Sequence, residues 1–189
     1  MLNAFLISLA TGGRVSEVHS LLRTQDSMSF EDAGVTLFPN PNFIAKNENP
    51  GSRRGPIFIS RLLQEDDSPH PLCPVENLNK FLKLSSSTSS IKLFIRPSDL
   101  SDLPLNRLRW HICKFIRLSG PNSFPKVHDL RRVASSFAFF NFMDINDICS
   151  LTGWSSFRVF RRHYLREIDS VRSSIVAVGS VFKRSGQKV

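Results

Sequence analysis

The 189-residue sequence is poor in cysteine, in tyrosine and in long apolar runs. Its three cysteines, Cys73, Cys113 and Cys149, show neither CxxC nor paired-histidine spacing, and an odd count argues against a closed disulfide framework. They read as reduced core thiols of an intracellular protein. His111 and Cys113 are close in sequence, but two ligands do not hold a metal, so no metal site and no cofactor is expected. No apolar run reaches the ~18–20 residues that cross a bilayer. Met1–Ala10 is apolar but lacks the basic flank of a signal peptide, so no membrane partner is expected. Tyrosine occurs once, against 16 phenylalanines.

Acidic residues are scarce in one half only. Residues 1–104 carry 10 basic and 11 acidic side chains, whereas residues 105–189 carry 15 basic and 5 acidic ones. A basic half on a chain that is 41% hydrophobic points to a folded protein with a polyanionic partner, nucleic acid before an anionic membrane surface. The length suits about one domain, with enough apolar material for a core that needs no staple.

Periodicity places the elements. Leu2, Phe5, Leu6 and Leu9 recur at helical spacing, and Thr11-Gly12-Gly13 ends that helix. The chain opens inside this helix with no capping residue, as expected if a region precedes it. A second helix begins near Arg14, with Val15, Val18, Leu21 and Leu22 as its stripe. Val35–Phe38 and Phe43–Lys46 flank Pro39-Asn40-Pro41-Asn42 and predict a hairpin; Ile57–Ile59 is a third short strand. Val75–Leu84 is a helix, and Ser85–Ser90 a mobile low-complexity connector. Leu105–Leu118, Val127–Phe140, Ile145–Leu151 and Ser156–Ile168 follow as helices. The whole predicts an α+β, mainly helical fold with a small antiparallel sheet.

Four motifs stand in a telling order: Thr11-Gly-Gly-Arg14-Val-Ser-Glu17, His128-Asp-Leu-Arg131, Gly153-Trp154, and Tyr164 within Arg-Arg-His-Tyr-Leu-Arg. Together they resemble the catalytic domain of tyrosine recombinases, the phage-integrase family, over roughly Leu2 to Ile168. HxxR alone is weak; the ordered set with the sole tyrosine at the nucleophile position is strong. Phe43-Ile-Ala-Lys46-Asn, Pro56-Ile-Phe-Ile and Gly153-Trp-Ser-Ser resemble more narrowly the recombinases of eukaryotic mobile elements of the DIRS, Ngaro and Crypton groups, which implies a nuclear location. The resemblance implies the DNA breaking–rejoining catalytic fold over residues 1–173. It also implies a tail at 174–189 that is exchanged between protomers, and an N-terminal DNA-clamp domain that has no counterpart before Met1.

The implied chemistry is cleavage and rejoining of double-stranded DNA through a 3′-phosphotyrosyl intermediate, in a homo-oligomer that is a tetramer on DNA. Two guanidinium forks, Arg14 and Arg131, suit the non-bridging oxygens because each offers parallel charge-assisted hydrogen bonds and stays protonated. Tyr164 is the implied nucleophile. His128, one turn before Arg131, shares its helix face. Trp154, an N–H donor only, falls where the family has His or Trp. Glu17 buttresses Arg14. Lys46 is the implied general acid, its pKa easier to tune than that of its rivals Arg53 and Arg54. Arg53, Arg54, Arg132, Arg161 and Arg162 are candidate DNA contacts. One departure stands out: ten residues separate Trp154 from Tyr164 where the best-known relatives have nine, an insertion expected to be absorbed in the Ser155–Phe157 turn.

Blander readings compete. A lone tyrosine is commonly a core residue, Arg14 with Glu17 is also an ordinary intrahelical pair, and Trp154 could be core alone. His19, His70, His111 and His163 read as structural or surface groups. Phe137, Phe139, Phe140 and Phe142 read as core or partner surface. A recombinase remnant that holds DNA without cutting it is the main alternative function. A basic ribonucleoprotein component explains the charge but not the constellation, and a type I topoisomerase shares the chemistry but ordinarily has a longer chain.

Overall fold

The computed structural model describes residues 1–45, 55–118, 126–141, 143–152 and 158, and six α-helices and three strands follow one another among them. They are α1 (Leu2–Thr11), α2 (Val15–Ser20), β1 (Met28–Glu31), β2 (Gly34–Leu37), β3 (Ile57–Ser60), α3 (Pro74–Leu84), α4 (Leu105–Leu118), α5 (Val127–Phe140) and α6 (Ile145–Thr152). α1 lies at the centre, packed against α3, α4 and α5. Ala4 and Ile7 are fully buried there, and Leu78, Leu93, Leu108 and Ile112 close the core around them. A smaller cluster under α5 and α6 gathers Ala138, Phe139, Ile145 and Cys149 on Ile148.

The sheet runs antiparallel in the order β1-β2-β3, with Phe30, Val35 and Ile59 in register; Val35 and Ile59 are buried in the core, and Phe30 on the outer strand is exposed. This corrects the expected hairpin. β2 turns back through Asp32-Ala33 onto β1, a segment whose Met-Ser-Phe-Glu alternation is itself strand-like. Phe43–Ala45 forms no strand, and Lys46 lies outside the described residues. The physical cause is local. Pro39 and Pro41 have no N–H to give a ladder, the Asn40 side chain accepts the Asn42 N–H at 2.9 Å, and the Phe43 N–H is spent on the Asn40 carbonyl at 3.0 Å.

Other boundaries follow their causes. α1 stops because Gly12 turns into the left-handed region at φ 56, the usual helix terminator. α2 ends at Ser20, so Leu21 and Leu22 leave the helix; Leu21 is still buried, and Leu22 bridges to Lys92. α4 and α5 occupy the expected ranges, α3 starts one residue earlier at Pro74, and α6 runs one residue further to Thr152. The helix expected over 156–168 and the tail at 174–189 fall outside the described residues, apart from Arg158.

Two expectations need revising. The serine-rich connector is anchored: Arg23 Nη2 donates to the Ser85 carbonyl at 2.9 Å, Ser85 Oγ to Phe81 at 2.6 Å, and Thr88 Oγ1 to Leu100 at 2.6 Å. Of the three cysteines, all free thiols, only Cys73 is fully buried; Cys113 and Cys149 are partly exposed. Phe139 packs against Ile148 in the smaller cluster, and Phe137 is exposed.

Gly34 makes the sharpest steric demand. A Cβ there would stand 2.2 Å from the Ile59 carbonyl oxygen and 2.8 Å from the Phe58 ring. Because the obstruction is backbone in a paired strand, Gly34→Ala should destabilise the chain by about 2–3 kcal/mol, the upper end of overpacking costs. Urea denaturation measures this; an unchanged midpoint would mean that β2 and β3 separate freely.

Candidate functional site

The turn from α1 into α2 presents the first candidate side chains. Thr11 Oγ1 donates back to the Ile7 carbonyl at 2.8 Å and accepts the Gly13 N–H at 3.1 Å, which fixes the turn from within. Arg14 then occupies the N-cap of α2 in extended conformation. Glu17, at the third helical position, accepts the Arg14 backbone N–H on Oε2 at 2.7 Å and its guanidinium Nη1 on Oε1 at 3.1 Å. One carboxylate thus caps the helix and holds the arginine's direction. Glu17 was expected to buttress Arg14, and it stands against it.

Arg131 arrives at the same carboxylate from α5. It is only 5% exposed, and its Nη1 stands 4.0 Å from Glu17 Oε2. Nη1 also donates to the Gly12 carbonyl at 3.2 Å, and Nη2 donates to the Thr152 carbonyl. Gly12 caps the C-terminus of α1 and Thr152 ends α6. Both carbonyls lie where helix dipoles place partial negative charge, which compensates a buried cation. The segments around Gly12 are in ordinary van der Waals contact. A Cβ on Gly12 would touch Thr152 Cγ2 at 3.4 Å and Ala134 Cβ at 3.6 Å. Two arginines far apart in sequence therefore converge on Glu17.

His128 is exposed, one turn before Arg131 in the first turn of α5. The acid at the third position of this helix repeats the device of α2: Asp129 Oδ2 accepts the Lys126 N–H at 2.7 Å. Arg132 faces outward, 3.5 Å from Asp129 Oδ1. Lys46, Arg53, Arg54, Trp154, Arg161, Arg162 and Tyr164 lie outside the described residues. His19 Nε2 bonds the Leu103 carbonyl at 2.7 Å, and His70 Nδ1 accepts the Leu72 N–H at 3.0 Å, both structural uses.

A second electropositive feature was not anticipated. α4 contains no acidic residue, and its apolar side (Leu108, Ile112) is buried. At ~100° per residue, Arg107, Trp110, Lys114 and Arg117 fall on one stripe of the opposite side. Trp110 is 51% exposed, with Lys114 Nζ 5.5 Å from its ring centroid. Among the described residues no ion pair neutralises Arg107, Lys114 or Arg117. Partial burial, and then neighbouring positive charge that includes Lys114 and Arg107, holds the His111 imidazole below its ordinary value. The signal was legible as a fourteen-residue helix with four Lys or Arg and no Asp or Glu.

Cysteine chemistry is not favoured here. Burial pushes the Cys113 and Cys149 thiols up, away from the reactive thiolate. Among the described residues no three His, Cys, Asp or Glu side chains gather as a metal site, and no helix is long and apolar enough to cross a membrane.

No protein-family model matches the chain, and neither does any curated protein. Solved structures do. The chain is similar to XerA recombinase at TM-score 0.62 and 18% identity, over 92% of this chain and 56% of that one. XerH site-specific recombinase bound to its difH substrate aligns at 0.60 and 16%, over 89% and 44%. A lambda integrase fragment, seen as a dimer on a core site, aligns at 0.55 and 15%, over 85% and 50%. The chain thus spans about half the length of these proteins. Its helices and three-stranded antiparallel sheet form the tyrosine-recombinase catalytic fold.

The shared carboxylate can be tested against the plain cap. Glu17→Gln strips the buried Arg131 of a countercharge and should cost about 2–4 kcal/mol in urea denaturation. Asp129→Asn, which affects a cap at the surface, should cost about 1 kcal/mol or less. Equal losses would reduce Glu17 to a helix cap.

Proposed function

We propose that the chain is the catalytic domain of a tyrosine recombinase, a DNA strand transferase that works without metal. The observation that carries this reading is the meeting of Arg14 and Arg131 on Glu17 within this fold. Such a pair concentrates cationic hydrogen-bond donors where a phosphodiester gathers negative charge in its transition state. Glu17 and the two helix-end carbonyls fix the donors in advance, so little reorganisation accompanies the reaction.

The step balances simply. Tyr164 Oη attacks the scissile phosphorus and passes its proton to His128; the P–O5′ bond breaks, and the 5′ oxygen leaves as a hydroxyl after taking a proton from Lys46. His128 hydrogen-bonds the phosphate and assists the proton movements, and the Trp154 indole N–H donates to a phosphate oxygen. The 3′-phosphotyrosyl ester retains the phosphodiester's energy, so a 5′ hydroxyl from another strand reverses the step without ATP. Arg53, Arg54, Arg132, Arg161 and Arg162 contact the DNA backbone. The α4 stripe adds sequence-independent grip, with Trp110 as an apolar platform for sugar and base edges. Four protomers on two duplexes would exchange strands. The narrower likeness to eukaryotic mobile-element enzymes supports integration or excision of such an element, in the nucleus.

A nicked suicide duplex incubated with the protein in EDTA should yield a covalent adduct that survives detergent. Tyr164→Phe should yield none, and Arg14→Ala should slow adduct formation by about 10²–10³-fold, the loss typical of one transition-state donor. An adduct that persists in the phenylalanine variant overturns the assignment. DNA binding without any adduct from the wild type identifies a catalytically silent remnant.

Salt dependence tests the α4 grip. In Arg107→Ala and in Lys114→Ala, the log–log slope of DNA affinity against salt should shrink by about 0.9 for each phosphate that the variant leaves unneutralised. Unchanged slopes would remove α4 from the interface.

A further inference from the structure

A cavity of about 180 Å³ lies beside the paired arginines, between α2 and the Pro39–Ala45 segment. One wall is Val18, Leu21 and Ile57; Pro39, Pro41 and Phe43 line the other. Carbon dominates the lining. Several polar groups at its edge are already engaged: Thr11 Oγ1 with Ile7 and Gly13, Ser20 Oγ with the Glu17 carbonyl at 2.7 Å, and Asn40 Oδ1 with Asn42. The Glu17 side chain is held by Arg14 and approached by Arg131.

These facts define what fits. A strongly hydrogen-bonding ligand would give up water and find few partners in return. An anion would lie against the Glu17 carboxylate. A cation would find the Glu17 carboxylate already held by Arg14 and approached by Arg131. A neutral apolar molecule loses nothing, and the rigid proline and phenylalanine wall offers flat contact to a ring. Volume sets the size, since an apolar cavity of roughly 150 Å³ stays dry and takes up benzene.

We propose that this cavity is a binding site for a neutral aromatic molecule of one or two rings. Its lining comes from α2 with Leu21 just beyond it, from Ile57 at the start of β3, and from the Pro39–Ala45 segment. An occupant therefore sets the spacing between α2, which carries Glu17, and the Pro39–Ala45 segment. Any effect of that spacing on catalysis rests on the recombinase reading, whereas the binding itself does not.

Methyl NMR of the full 189-residue protein titrated with indole tests the site. Saturable shifts are expected at the Val18, Leu21 and Ile57 methyls and not at Leu84 or Leu118, which are surface residues. Benzoate and benzylammonium should each bind at least tenfold more weakly. Ala45→Leu, which fills the cavity from a buried wall position, should weaken indole at least tenfold. Val18→Ile, a gentler addition of one methyl group, should weaken it measurably should the leucine variant not fold. Absence of saturable shifts up to the solubility limit, equal binding by the charged analogues, or unchanged affinity in the filled variant that folds would each overturn the proposal. Failure of the recombinase reading would leave these shifts intact, just as failure of the pocket would leave DNA adduct formation intact.

Discussion

The arrangement depends on one buried guanidinium. Removing Arg131 from water costs several kcal/mol before any partner is counted. Among the described residues, the groups that offset this cost include the carbonyl that ends α1, the carbonyl that ends α6, and the carboxylate of α2. None of these is near Arg131 in sequence. The cation is therefore satisfied only when α1, α2, α5 and α6 have all reached their native positions, and it couples the local order of the site to the completion of the fold. Gly12 contributes through its backbone, which takes the left-handed conformation at φ 56 that ends α1; a Cβ there would make only ordinary contact with Thr152 and Ala134.

The same geometry explains how one carboxylate serves two arginines. Glu17 is shared, at distances of 3.1 Å and 4.0 Å, between two arginines. One carboxylate cannot neutralise both, yet it can orient both. A fully neutralised pair would be inert toward an anion, and two unpartnered arginines would repel each other and wander. Sharing one acid holds both guanidinium groups in fixed orientations, and fixed orientation is what preorganised electrostatic stabilisation requires.

Much of this was legible, for reasons that can be named. α4 and α5 carry strong 3.6-residue periodicity, and their expected ranges coincide with the observed ones. Arg14 with Glu17, and His128 with Arg131, are short-range spacings on single helices, the kind of information a sequence displays openly. The sheet was misread because two prolines and two asparagines were a louder turn signal than Asp32-Ala33, although prolines are poor strand neighbours in a ladder. The carbonyl partners of Arg131 were illegible in principle, since every residue has a carbonyl and only tertiary structure selects Gly12 and Thr152. The serine run misled for a related reason: its composition suggests mobility, but Arg23 and the Leu100 carbonyl, both remote in sequence, hold it in place. Tyr164, Trp154 and Lys46 remain sequence readings, since they lie outside the described residues.

The charge asymmetry of the sequence resolves into two kinds of cation. Those drawn into the structure meet acids or carbonyls, as Arg131 does with Glu17 and Arg61 does with Glu76 at 3.0 Å. Those on α4 project from a helix without a single acid and meet no carboxylate among the described residues. A fold gains nothing in stability from clustering like charges on an exposed face; at four-residue spacing they cost a few tenths of a kcal/mol per pair. Their clustering is intelligible as a reserve for an external polyanion, whose condensed counterions they displace on contact. The described residues thus hold two kinds of cation apart in space: guanidinium groups held in orientation by partners, with Arg131 buried and Arg61 half-buried, and a solvated stripe on α4 that meets no carboxylate among them.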